Sequence, residues 1–193
     1  MTAGRDLEAR LAEMVGASPT LMAVLTTMRT IDLPDWLVFS GAIYQTVWNA
    51  LTGRAPDYGV KDYDVGYFEP SDISYEAEDA VIRRVAAAFP TGLRELVQVR
   101  NQARVHLWFE AKFGEPYMPL ACTDKALTRF VSPAFAVGVR LEPDGAITVA
   151  APFGLEDLFA MRLRPNPRRP KAAHWEKATQ SVKARWPELS ILG

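Results

Sequence analysis

The apolar positions of this chain change period several times, and each change marks an element. From Asp6 to Arg29 the residues Leu7, Leu11, Met14, Val15, Leu21, Met22, Leu25 and Met28 recur at helical spacing, broken near Gly16-Ala17-Ser18-Pro19. Ser18 before Pro19 is a restart signal, a capping residue followed by proline at the first helical position. Two opening helices are predicted, over 5–15 and 19–30. The run Trp36-Leu37-Val38-Phe39, bounded by Pro34 and by Ser40-Gly41, predicts a buried strand. Ile43, Val47, Trp48 and Leu51 then return to helical spacing, and Gly53 closes the helix.

After the loop RAPDYGVK, residues 62–68 alternate, with Tyr63, Val65 and Tyr67 on one face and Asp62 and Asp64 on the other. A helix is predicted over 75–89, acidic in its first turn as the helix dipole favours. A strand pair is expected near 94–99 and 103–110, and a short helix near 123–130. Ala134–Leu141 and Ala146–Ala150 read as a hairpin around Asp144-Gly145. Short helices are expected at 153–161 and 174–186.

Composition narrows the function classes. A chain of 193 residues, 49% hydrophobic and 23% charged, suits one globular domain with additional terminal elements. The expected division is helices over 1–30, a core over 36–165 and a basic C-terminal arm over 166–193. A net charge of -1 excludes binding of nucleic acid through bulk positive charge. One cysteine, Cys122, and two histidines exclude an internal disulfide and a His-rich metal site. No apolar run reaches the ~20 residues of a membrane span, so a cytoplasmic protein with no membrane partner is the expectation. Residues 162–185 carry eight Lys/Arg against the single acid Glu176. That segment is either a solvated basic tail or an arm for a polyanionic substrate.

The unit that carries chemistry is Phe39-Ser40-Gly41, a helix, a loop, then Asp62-Tyr63-Asp64. Aspartates at i and i+2 of a strand share a face within about 7 Å, where like charges repel. A cation relieves that repulsion, and hard oxygen ligands at this spacing suit Mg²⁺ or Mn²⁺ together with substrate phosphates. Ser40-Gly41 ahead of a helix offers free backbone N–H groups and close approach, which is what a phosphate needs.

In this order, those features resemble the nucleotidyltransferase superfamily that includes DNA polymerase beta. More narrowly, W-x-x-x-x-G-A-I-x-x-x-V-W-x-x-L-T-G-R, K-D-Y-D-V-x-Y-F, V-R-N-Q-A-R-V-H, P-Y and A-P-F-G-L-E-D-L-F are similar to a bacterial nucleotidyltransferase-like family over Trp36 to Pro165. The resemblance implies an α/β (α+β) fold, a mixed β-sheet flanked by helices with additional N-terminal helices. It implies Asp62 and Asp64 as metal carboxylates for Mg²⁺ or Mn²⁺, and Ser40 and Gly41 as the phosphate-binding turn. It also implies a nucleoside triphosphate as donor and an acceptor that is a small molecule, a protein or an RNA.

The chain departs from the superfamily pattern at the third carboxylate, which commonly lies on a later neighbouring strand. In the candidate strand, alternation puts Arg104, His106, Trp108 and Glu110 on one face. His106 is placed as base or ligand in place of the carboxylate, Glu110 is the alternative, and a structural histidine is the competing reading. Asn101 and Arg104 are candidates to bond phosphate or the aspartates, or else to brace their loop. Trp48 reads as core packing, Glu156 and Asp157 as acids at a helix start, and Tyr117 is left open as a lining residue. The expected activity is metal-dependent transfer of a nucleoside monophosphate to an acceptor hydroxyl. The rivals are a nucleotide-binding or regulatory module without turnover, and an RNA adaptor using residues 162–185.

Overall fold

Strand β1 (Leu37–Phe39) is buried along its whole length, as its aromatic and β-branched composition requires. The computed structural model describes residues 2–169, 172 and 174–192; Pro170 and Lys171 of the expected basic arm lie outside the described residues. Around β1 stands a five-stranded sheet of order β3-β2-β1-β4-β5, with β2 over Tyr63–Tyr67, β3 over Val97–Asn101, β4 over Gly138–Leu141 and β5 over Ile147–Ala150. β1 runs antiparallel to both β2 and β4, β2 pairs parallel with β3, and β4 with β5 forms the expected hairpin.

The opening helices are α1 (Thr2–Gly16) and α2 (Pro19–Ile31). Helix α3 (Gly41–Leu51) links β1 to β2, and α4 (Tyr75–Ala88) makes the crossover from β2 to β3. Ser74 caps α4, its hydroxyl accepting from the Ala77 N–H at 3.2 Å. Ser18, expected to cap α2, makes no such bond; its hydroxyl is buried without a partner, and Pro19 opens the helix. Trp48 is fully buried and donates to the Leu158 carbonyl at 3.1 Å, which confirms it as core. Short helices α5 (Phe109–Phe113), α6 (Asp124–Leu127) and α7 (Glu156–Phe159) and helix α8 (Trp175–Lys183) complete the layers. A second sheet of β6 (Arg162–Leu163) and β7 (Ser190–Ile191) was not anticipated from the sequence. Among the described residues, no single helix is long and apolar enough to cross a membrane.

One expected element is absent in its predicted form. Residues 103–110 are not a strand; β3 ends at Asn101, and a 3-10 turn over Val105–Leu107 leads into α5. The cause lies in the side chain of Asn101, whose Oδ1 accepts from the Glu69 and Ala103 N–H groups while its Nδ2 donates to the Glu69 carbonyl. Such side-chain bonds turn the backbone off the ladder. Arg104 then donates to Glu78 at 2.5 Å in a buried ion pair, and Glu78 also accepts from the Asn101 N–H at 2.8 Å.

Candidate active site

The antiparallel pairing of β1 and β2 brings the end of one strand beside the start of the other. Phe39 stands opposite Asp64, so the Ser40-Gly41 turn falls beside Asp62. A Cβ placed on Gly41 would lie 3.9 Å from Asp62 Oδ1 and 3.1 Å from Gln45 Nε2. A side chain there would crowd the Gln45 amide and come into van der Waals contact with Asp62, which places the helix start directly beside the first aspartate. The helical bonds of α3 begin with the Ile43 and Tyr44 N–H groups, both donated to the Ser40 carbonyl. The Gly41 and Ala42 N–H groups lie ahead of them and face outward from the helix start.

Ser40 adopts φ 59° and ψ −119°, a conformation that glycine takes readily and an L-residue only under strain. Its N–H is held by the Val137 carbonyl at 2.9 Å, and its side chain forms no cap bond.

Asp62 is delivered by a pinned loop. Asn49 donates to the Pro56 and Tyr58 carbonyls, both at 2.9 Å, and Arg185 donates to the Gly59 carbonyl at 2.7 Å. Trp186 packs edge-on against Tyr58 and donates to Asn49 Oδ1 at 3.0 Å. Asp62 is half-buried just before β2, and Asp64 lies within it. Burial, then the neighbouring Asp62 charge, pushes the Asp64 carboxyl up to about 6, with Arg100 opposing the rise. Tyr44 is pushed up to about 12, chiefly by burial, and so stays a neutral hydroxyl near both aspartates.

The parallel pairing of β2 and β3 sets Asp64 opposite Gln98 and Gly66 opposite Arg100. Gln98 and Arg100 thus share the strand face of Asp64, whereas the third carboxylate was sought over 103–110. Gln98 Nε2 approaches Asp62 Oδ2 at 3.5 Å. Among the described residues, no three His, Cys, Asp or Glu side chains gather at metal-binding distance. Asp62 and Asp64 are the two carboxylates that the start of β2 brings to this face.

The other sequence candidates are placed elsewhere. His106 sits on the 3-10 turn, and its Nδ1 is buried without a partner; Glu110 is exposed on α5. Neither lines the cavity that Asp64 lines. Asn101 and Arg104 are spent on the Glu69 and Glu78 bonds, so both brace the chain end of β3. Glu156 and Asp157 do stand in the first turn of α7, and Asp157 additionally pairs with Arg162 at 2.7 Å and Arg164 at 2.5 Å. Much of the basic segment is thereby used internally, since Arg169 also pairs with Glu115.

Sequence reasoning missed Tyr44, Gln98, Arg100 and Arg185. Arg185 was legible only as one member of the basic run; the fold brings it to Gln45 Oε1 at 3.2 Å, beside the Gly41 turn. A cavity of about 370 Å³ also opens from Asp64 and is lined by aromatic side chains including Tyr117.

A mixed sheet in which the helix start at Gly41 lies beside two aspartates at the start of one neighbouring strand has the arrangement of a nucleotidyltransferase-like fold. The chain belongs to a nucleotidyltransferase family, whose pattern it matches over residues 26–191. It also superposes on a structure, solved by NMR and described as revealing a CCA-adding enzyme head domain, with a TM-score of 0.75. Identity there is 24%, covering 95% of this chain and 94% of that one. That likeness is one of fold. No curated protein matches this chain significantly.

Proposed function

We propose that this protein is a metal-dependent nucleotidyltransferase that moves a nucleoside monophosphate from a nucleoside triphosphate to an acceptor hydroxyl, releasing pyrophosphate. The observation that carries this reading is the juxtaposition of Gly41 with Asp62, and of both with Asp64, across the β1–β2 pair. Asp62 and Asp64 fit Mg²⁺ or Mn²⁺: they are hard oxygen donors, and nothing but Arg100 offsets the cost of ionised Asp64. With only two carboxylates, the remaining ligands come from the triphosphate and water. The metal, when bound, supplies charge stabilisation for the phosphoryl oxygens.

The chain's own residues do the positioning. The Gly41 and Ala42 N–H groups receive the β- and γ-phosphates at the positive end of the α3 dipole. Gln45 and Arg185 support that end with amide and guanidinium groups. Tyr44 is held neutral and so adds a hydroxyl without adding repulsion. The acceptor oxygen bonds to the α-phosphorus as the α–β bridging P–O bond breaks. Pyrophosphate takes the electron pair and the hydroxyl proton passes to solvent. Positioning and charge stabilisation are the principal contributions of such a site.

A specific observation favours a second reading, a nucleotide-binding module without turnover: Gln98 and Arg100 stand on β3 where active relatives commonly carry an acid. Release of labelled pyrophosphate from each γ-labelled nucleoside triphosphate with Mg²⁺ or Mn²⁺ decides between them. Release that depends on Asp62 and Asp64 supports the enzyme. Metal-dependent binding with no release against a broad acceptor set overturns it in favour of the binding module.

A further inference from the structure

The cavity beyond Asp64 has a composition of its own. Phe109 packs at a tilt against Tyr117 and Phe113 with ring centroids 4.5 and 4.7 Å away, and Trp108 and Phe130 extend the aromatic wall. Three guanidinium groups reach it. Arg169 is tied to Glu115 and to the Arg129 carbonyl. Arg129 lies 5.3 Å over the Tyr117 ring and has no ion pair among the described residues, while Arg100 donates to the Val99 carbonyl at 2.7 Å. Asp64 is the only carboxylate in the lining among the described residues. An aromatic slot in which Arg100 faces Asp64 and Arg129 has no ion pair among the described residues complements a flat molecule that carries negative charge.

Direction assigns its occupant. In an in-line displacement the leaving and attacking oxygens lie on opposite sides of the α-phosphorus. The leaving pyrophosphate belongs at Gly41 on the Asp62 side, and Asp62 does not line the cavity. The attacking oxygen therefore enters from the far side of Asp64, where the cavity opens.

Resting on the nucleotidyltransferase reading above, we propose that this cavity is the acceptor site and that the acceptor is a small hydroxyl compound with an aromatic ring and an anionic group recognised by Arg129. Its volume of about 370 Å³ falls in the range of small-molecule sites, roughly 300–1,000 Å³. In the basic run near the cavity, Arg162, Arg164 and Arg169 are already ion-paired, and a slot of this size fits a small molecule rather than an extended strand.

The test uses the full chain and 3-(4-hydroxyphenyl)propionate as probe, with its neutral amide as control, followed by protein NMR. Saturable shifts are expected at the Trp108 indole and at Phe109 and Phe113. The acid should bind about tenfold more tightly than the amide, as a charge-assisted bond predicts. Arg129→Gln should erase that preference while leaving thermal stability unchanged. Equal binding of acid and amide in the wild type, or no shift at these resonances, overturns the proposal. So does a single-stranded RNA 3′ end that shifts the same resonances and displaces the probe. Binding of a triphosphate with Mg²⁺ is measured on the same sample. Its absence overturns nucleotidyl transfer and the acceptor role together, and its presence without probe binding overturns the acceptor role alone.

Discussion

Replacing Asp64 with asparagine should make the metal-free protein more stable while removing its function. The ionised carboxylate is held where burial and Asp62 both oppose it, and its carboxyl rises from 3.8 to about 6. A raised carboxyl means that the native state binds the proton more tightly than the unfolded chain. Stability therefore falls as pH rises through about 4 to 6, and above that window the full cost of ionisation is present. At ~1.36 kcal/mol per unit this is about 3 kcal/mol, reduced to about 2 because Asp64 is only partly buried and water screens it. For a chain of this size ~1 kcal/mol moves Tm by ~2–4 °C, so Asp64→Asn should raise Tm by about 4–8 °C near pH 7.5. Near pH 4, where the wild-type carboxyl is protonated, the two proteins should melt together. Scanning calorimetry in EDTA at both pH values makes the comparison. An Asp64→Asn protein that melts at or below the wild type near pH 7.5, or a gain that is the same at both pH values, refutes the reasoning.

Three further outcomes are expected. Ser40→Gly should stabilise the chain by about 1 kcal/mol, because glycine adopts the Ser40 conformation without strain; chemical denaturation reads the gain, and a loss contradicts the strained-turn account. Arg104→Met should cost ~3–5 kcal/mol by leaving Glu78 charged and buried, and adding Glu78→Gln should recover part of it in urea titrations. Pyrophosphate release should vanish in Asp62→Asn, with the folded state intact by circular dichroism.

What the sequence revealed was local. The Ser40-Gly41 turn and the aspartate pair were legible because each element between Trp36 and Phe68 has a clear period and a clear stop. Their meeting depends on the register of Phe39 with Asp64, a long-range pairing that no local pattern encodes. The third-strand reading failed where alternation was genuine but accidental. Asn101 fell between the two expected strands, yet it is the last residue of β3, and its side-chain bonds to Glu69 and Ala103 end the strand there. The same error separated Trp108 from Phe109, which join one aromatic wall because α5 begins between them. Charge counting misled in a similar way. The run over 162–185 looks free in sequence, yet Asp157 and Glu115, from other elements, neutralise three of its arginines. Gln98 and Arg100 carried no signal at all, since their importance comes only from facing Asp64 and Gly66 across β2 and β3.

The central claim is that Asp62, Asp64 and the Gly41 turn form one metal–nucleotide site. The most direct test is thermal stabilisation by each nucleoside triphosphate, with Mg²⁺, with Mn²⁺ and in EDTA, for the wild type and for Asp62→Asn/Asp64→Asn. A ligand at ~100 times its dissociation constant adds roughly 2.7 kcal/mol, well within reach of the assay. The account predicts a rise in Tm that needs both metal and nucleotide and is lost in the double variant. Stabilisation that survives in EDTA, or that the double variant retains, would contradict it.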